Sequence, residues 1–328
     1  MHVGLRVGLS FDPSRPNWDD TGPRPLRWSV WYPTDSRGTT TTGVDAWFRH
    51  VPVVRDAPLR ESADPRPLVV LSHGTGGLAG GLSWLATRLA GHGYVVVGVD
   101  HHGNTGSEPY LAEGFLCLWE RARDVSALLD DPGWRAAVGG AIATEAVVAG
   151  FSAGAHTALL LLGARVAHSQ FEPGNPEVSP VRGPRELPDL ADRLPSLISS
   201  SGVFAAAWDR RRASFRDQRI TAALAMAPGR SVRGLDPRTL AAIERPLTIA
   251  VGGSDTAAPP DQCAAWLHQR VPGSQLHTVH PAAGHYVFLP EPTPEGRAAA
   301  PDLFTDAPGV VRSEVHETTA ALVQALPG

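Results

Sequence analysis

Three separated stretches carry residue types that together make an alcohol reactive. The first is Gly150-Phe151-Ser152-Ala153-Gly154, set between the apolar run Ala146–Ala149 and a helix-like run from His156 to Leu162. A G-x-S-x-G pentapeptide between strand and helix places its serine in a tight, strained turn, where the flanking small residues let strand and helix approach without collision. The strain lifts the hydroxyl over the sheet edge. It also leaves the N–H groups of Ala153 and its neighbours at a helix N-terminus, where they stabilise an oxyanion. A serine hydroxyl is a poor nucleophile at neutral pH and needs a base, which in turn needs an orienting carboxylate. Downstream, Ile249-Ala250-Val251-Gly252-Gly253-Ser254-Asp255 reads as a buried strand opening into a glycine turn with an acid at its end. The next strand ends at His280, and Gly284-His285 follows on a loop. Ser152 is the expected nucleophile, Asp255 the acid and His285 the base.

His277 and His280 are rival bases, but both fall within a strand, where structural or surface roles are expected. Asp261 is a rival acid; it follows Pro259-Pro260 and reads as the first turn of a helix, where the dipole accounts for its charge. A second oxyanion donor is expected from the loop Ser72-His73-Gly74-Thr75-Gly76-Gly77, with the Thr75 N–H pairing with that of Ala153. His73 is expected to brace this loop, and His156 to be packed and satisfied. His73, Gly74, His101, His102 and Trp208 are the candidates for lining a pocket. Asp100-His101-His102 lacks matching ligands elsewhere in the sequence, so no metal is expected, and no cofactor.

Composition narrows the chemistry further. All 29 basic residues are arginine, which excludes a Schiff-base lysine, a pyridoxal-phosphate anchor and a P-loop lysine. A net charge of −4 gives no support to nucleic-acid binding. Cys117 and Cys263 lack metal-ligand spacing and read as buried free thiols. No apolar run reaches the length of a membrane span, and the first residues lack a signal-peptide core. The expectation is a cytoplasmic protein without stable membrane insertion, acting on a small-molecule ester or related acyl substrate.

Positioning these residues requires a sheet. Leu5–Leu9 and Leu26–Tyr32 read as an antiparallel start, and 33–65 as polar and irregular. Runs at 67–72, 94–99, 146–149, 220–226 and 246–251 are continuously apolar, as in strands buried on both faces, and 275–280 is a last strand. Helices are expected at 82–90, 119–129, 156–162 and 310–326. This alternation implies right-handed crossovers and a mostly parallel α/β sheet of eight strands. Residues 165–219 break the alternation with arginines, prolines and scattered apolar residues. They are expected to form a cap inserted after the nucleophile helix, dividing the core into 1–164 and 220–328.

Ser72–Gly77, His92-Gly93-Tyr94 with Asp100–Asn104, Trp119–Arg121 with Arg123-Asp124, Gly150–Gly154, Gly253–Asp255 and Gly284-His285 resemble the α/β-hydrolase superfamily. Within it the resemblance is to a bacterial branch of dienelactone-hydrolase-like proteins related to platelet-activating-factor acetylhydrolases. It runs from about residue 65 to the end, outside the cap. It implies an α/β-hydrolase fold and a Ser152–His285–Asp255 triad with the Thr75 and Ala153 amides as oxyanion donors. Two departures stand out: dienelactone hydrolases carry cysteine where this chain has Ser152, and the acetylhydrolase acid position, Met226–Gly229, holds no acid. The activity implied is carboxylic ester hydrolysis, with amidase, thioesterase, acyltransferase or non-catalytic binding as alternatives.

Overall fold

Alternation of apolar and polar residues from the N-terminus produces a long antiparallel pair, β1 (His2–Pro16) and β2 (Pro23–Thr34), with Leu5 opposite Trp31 and Leu9 opposite Arg27. The computed structural model describes residues 2–38, 40–41, 47–172 and 181–327. Two short strands follow, β3 (Thr40–Thr41) and β4 (Val53–Arg55). Then come the apolar runs: β5 (Arg66–Ser72), β6 (Val95–Asp100), β7 (Ile142–Phe151), β8 (Ile220–Met226), β9 (Leu247–Gly252) and β10 (Gln275–His280). The spatial order is β10-β9-β8-β7-β5-β6-β2-β1-β4-β3. From β10 to β6 every neighbouring pair is parallel, and β2 joins β6 antiparallel. The eight expected strands are therefore present, and β3 and β4 add two at the β1 edge.

Continuous apolar runs arise because the central strands are covered on both faces. Leu68 and Val70 of β5 join the cluster packed under the helices Glu120–Asp130 and Ala153–Leu162. Val69 and Leu71 join the opposite cluster, under Ser83–Gly91 and Arg312–Gln324. β7 divides in the same way, Val148 to the first and Val147 and Ala149 to the second. Burying a Val or Leu side chain contributes about 1.5–3 kcal/mol, so these strands supply much of the driving force that holds the sheet.

The segment expected as a cap forms two helices, Leu190–Ser200 and Gly202–Asp209, among its described residues; 173–180 lie outside them. Trp208 stacks on Phe204 and meets Trp119 edge-on, and the Trp119 indole N–H donates to the Ala207 carbonyl at 2.9 Å. The segment is thereby fastened to the helix that opens at Glu120. Several of its arginines are paired with acids: Arg182 with Asp192, Arg193 with Asp189, Arg219 with Asp217 and Asp130. Both cysteines are free and buried.

Candidate active site

The turn from β7 into the helix Ala153–Leu162 holds Ser152 at φ +54°. A non-glycine residue stays in that region only when its surroundings impose it, and here two glycines make the surroundings possible. A Cβ on Gly150 would stand 2.0 Å from the Gly154 carbonyl oxygen, and one on Gly154 would stand 1.9 Å from that of Ser72. The Ser152 N–H donates to the Met226 carbonyl at 2.9 Å, which ties the turn to β8.

The turn brings Ser152 Oγ to 3.1 Å from His285 Nε2, and His285 Nδ1 lies 2.7 Å from Asp255 Oδ2. Asp255 is buried at the end of β9, and its other oxygen accepts the Ala258 N–H at 2.7 Å. A carboxylate accepts only, so the imidazole carries its proton on Nδ1 and turns the Nε2 lone pair toward the serine hydroxyl. His285 opens a short turn, His285–Phe288, which is held, together with the Leu289 carbonyl, by Trp84 and His316. Trp84 donates to Phe288 at 2.8 Å, and His316 Nε2 donates to Val287 and Leu289 at 3.0 and 3.1 Å. His277 and His280 are engaged elsewhere, with Gln275 and the Ala282 N–H, and Asp261 is exposed.

The loop after β5 is tied at almost every polar group. Gly76 N–H donates to Asn104 Oδ1 at 2.7 Å, the Tyr110 hydroxyl donates to the Gly76 carbonyl at 2.9 Å, and Gly106 N–H donates to the Gly77 carbonyl at 2.9 Å. Arg121 donates to the His73 carbonyl. Among the described residues, the N–H groups of Thr75 and Ala153 have no acceptor. Gly74 lies against the nucleophile: a Cβ there would sit 3.5 Å from that of Ser152.

Three of the five residues expected around a pocket are placed differently, and His73 braces the loop, as its expected role required. The His101 backbone N–H donates to His73 Nε2, so His73 Nδ1 carries the proton and donates to the Gly74 carbonyl at 2.7 Å. His73 is buried behind the loop, and burial, with Arg121 and His101 nearby, pushes it well below the ordinary histidine range. His101 is fully buried and bridges Ser72 Oγ at 2.9 Å and Asp124 Oδ2 at 3.1 Å, with burial and Arg121 lowering it to about 3. His102 turns to Glu108 at 2.6 Å, and Trp208 is taken up in packing. His156 is packed as expected, but its Nδ1 has no partner among the described residues.

Sequence reasoning missed the anchor beneath this loop. Burial alone would raise Asp124, but Arg24 at 2.6 Å, Arg15 at 2.9 Å and His101 hold it well below the usual carboxylate range. Arg15 and Arg24 come from β1 and β2, so the N-terminal hairpin clamps the helix that carries Arg121. The available signal was the stretch Trp119–Arg121 with Arg123-Asp124, already among the residues that carry the resemblance. Gly229 was also missed: a Cβ there would stand 3.3 Å from Ser152 Oγ. At the loop's outer side, half-buried Glu186 and the Tyr110 hydroxyl approach Gly76, within 3.3 and 3.2 Å of where its Cβ would be. Burial raises Glu186 above the ordinary carboxylic-acid value.

Known proteins can be set beside this geometry. A ferulic acid esterase from Streptomyces cinnamoneus superposes with a TM-score of 0.65 at 20% identity, over 99% of this chain and 88% of that one. The fold is that of the α/β hydrolases. A predicted CIB-like hydrolase from Thermoplasma acidophilum gives a TM-score of 0.50 at 13% identity, covering 98% of this chain and 100% of that one. Residues 63–198 match the family described as serine aminopeptidase, S33. A comparison with curated proteins finds no match. In α/β hydrolases a site lies at the carboxyl ends of the parallel strands, where Ser152, Asp255 and His285 meet here. Among the described residues, no helix is long and apolar enough to cross a membrane.

Proposed function

We propose that this protein is a metal-independent serine hydrolase that cleaves carboxylic esters. The observation that carries the reading is the continuous chain from Ser152 Oγ to His285 at 3.1 Å and from His285 to Asp255 at 2.7 Å, built on a strained turn. Ser152 attacks the ester carbonyl while His285 Nε2 takes its proton, and Asp255 stabilises the imidazolium. The N–H groups of Thr75 and Ala153 hold the tetrahedral oxyanion; removing one such donor typically costs about 2.7–4 kcal/mol. Collapse expels the alcohol, protonated by His285, and leaves an acyl group on Ser152. Water activated by the same imidazole then releases the acid.

The 165–219 insertion serves as the cap and contributes Glu186 beside the oxyanion loop, so acyl-group selection falls to it and to Tyr110. A second reading is favoured by the aminopeptidase family match over 63–198: cleavage of an amide by the same three residues. Both readings predict that Ser152→Ala loses turnover, by roughly 10⁶-fold in kcat on the scale of other triad serines, with an unchanged melting temperature. Paired assays of aryl esters of graded acyl length and aminoacyl anilides separate them. The ester reading expects kcat/KM to be higher on the esters at every chain length tested. Preferential turnover of the anilides overturns it in favour of the amidase, and full ester turnover by Ser152→Ala overturns both.

A further inference from the structure

The outer edge of β1 is apolar where an edge strand of a solitary protein is ordinarily blunted with charge or cover. Val7, Leu9 and Phe11 are 51%, 47% and 53% exposed and share one face of the strand, while the other face is covered, with Gly8 against Trp28 and Ser10 bonded to Asp131. Backbone direction follows from one bond. The Asp56 N–H donates to the Leu5 carbonyl at 3.0 Å, so Leu5 points its backbone groups away from β2. With the two-residue alternation of a strand, Val7, Leu9 and Phe11 do the same. Beyond Leu5, no backbone group among the described residues pairs with β1 on that side. Pro13, which has no N–H, closes the run at the far end.

The free donors between these two stops are thus those of Val7, Leu9 and Phe11, and they are symmetric about Leu9. We infer that β1 pairs antiparallel with β1 of a second copy of this chain, on a two-fold axis at Leu9, joining the two sheets into one. In this register Leu9 faces Leu9 of the second copy and Val7 faces Phe11, each pair exchanging both backbone hydrogen bonds. The three apolar side chains of each copy then cover one another. On the opposite face small residues meet, Gly8 against Ser10, so nothing bulky stands between the two strands there. Any other centre either brings in Leu5, already bonded to Asp56, or reaches Pro13.

Sedimentation of the full chain across the micromolar range tests this, together with two variants. The wild type is expected to be a dimer and Leu9→Arg a monomer with unchanged circular dichroism. Leu9→Cys is expected to form a disulfide across the axis under mild oxidation, since hydrogen-bonded antiparallel pairs have Cα atoms about 5.5 Å apart and Cys117 and Cys263 are buried. Val311→Cys, exposed and outside β1, is expected not to cross-link. A wild type that stays monomeric throughout overturns the inference. So does a dimer that survives Leu9→Arg, or one in which Leu9→Cys fails to cross-link.

Discussion

Gly154 faces the carbonyl of Ser72 so closely that a Cβ at residue 154 would stand 1.9 Å from its oxygen. The helix behind the nucleophile and the strand leading to the oxyanion loop are therefore positioned against each other through a bare backbone. Gly154→Ala must push them apart. We expect roughly 3 kcal/mol of lost stability, the upper range for overpacking, together with loss of turnover, because the displacement acts on Ser152 and Thr75 at once. Thermal melts beside ester assays check this; a wild-type melting temperature in the alanine variant contradicts it.

Gly229 leaves space beside the nucleophile. Its backbone, at φ −70° and ψ 171°, suits any residue, yet a Cβ would lie 3.3 Å from Ser152 Oγ. Gly229 is buried, so Gly229→Val is expected to cost about 1–3 kcal/mol of stability, without unfolding the chain. Its kcat/KM should fall at least tenfold, more steeply for bulky acyl groups than for acetyl. An equal loss across acyl lengths would assign the residue a role other than space.

Acid should destabilise the fold above the carboxylate range. His101, His156 and His316 are lowered to about 3, chiefly by burial, and stay neutral in the fold. Below about pH 6.5 the unfolded chain binds protons that the fold refuses, so stability falls as pH drops from there toward 3, by up to about 1.4 kcal/mol per pH unit for each histidine. Asp124 acts at lower pH. Its folded value is depressed, so its contribution is present above about 3.8 and is lost as pH falls toward the folded value. Melting temperature measured between about pH 7 and 4 should decline throughout; a flat profile contradicts the neutral assignments.

Much of this arrangement was legible because strand ends and glycine turns announce themselves. β8 and β10 have the boundaries read for them in the sequence, and Ser152, Asp255 and His285 each follow a strand read there. β1 was read as Leu5–Leu9 but spans His2–Pro16, because Pro13 and Pro16 look like turn signals although an edge strand tolerates them. β3 and β4 lay hidden in the stretch 33–65, too short to show a period. The nucleophile helix begins at Ala153 rather than His156, since the small residues of the turn carry no apolar signal. The Ser72–His101–Asp124 bridge joins residues from a strand end, a loop and a helix; only packing brings them together, so no spacing foretold it. For the same reason His101, a polar residue at a strand end, reads as a pocket group when it is a buried strut.

Treatment with a fluorophosphonate, followed by peptide mass spectrometry, tests the central claim most directly, because the reagent phosphonylates a serine made nucleophilic by its neighbours, with loss of fluoride. The account predicts one adduct per chain, on the peptide carrying Ser152, with activity lost in proportion to labelling. Labelling should be absent in Ser152→Ala and strongly slowed in His285→Ala. Modification of a different residue with Ser152 untouched, or a wild-type chain that hydrolyses esters yet stays unlabelled, contradicts it.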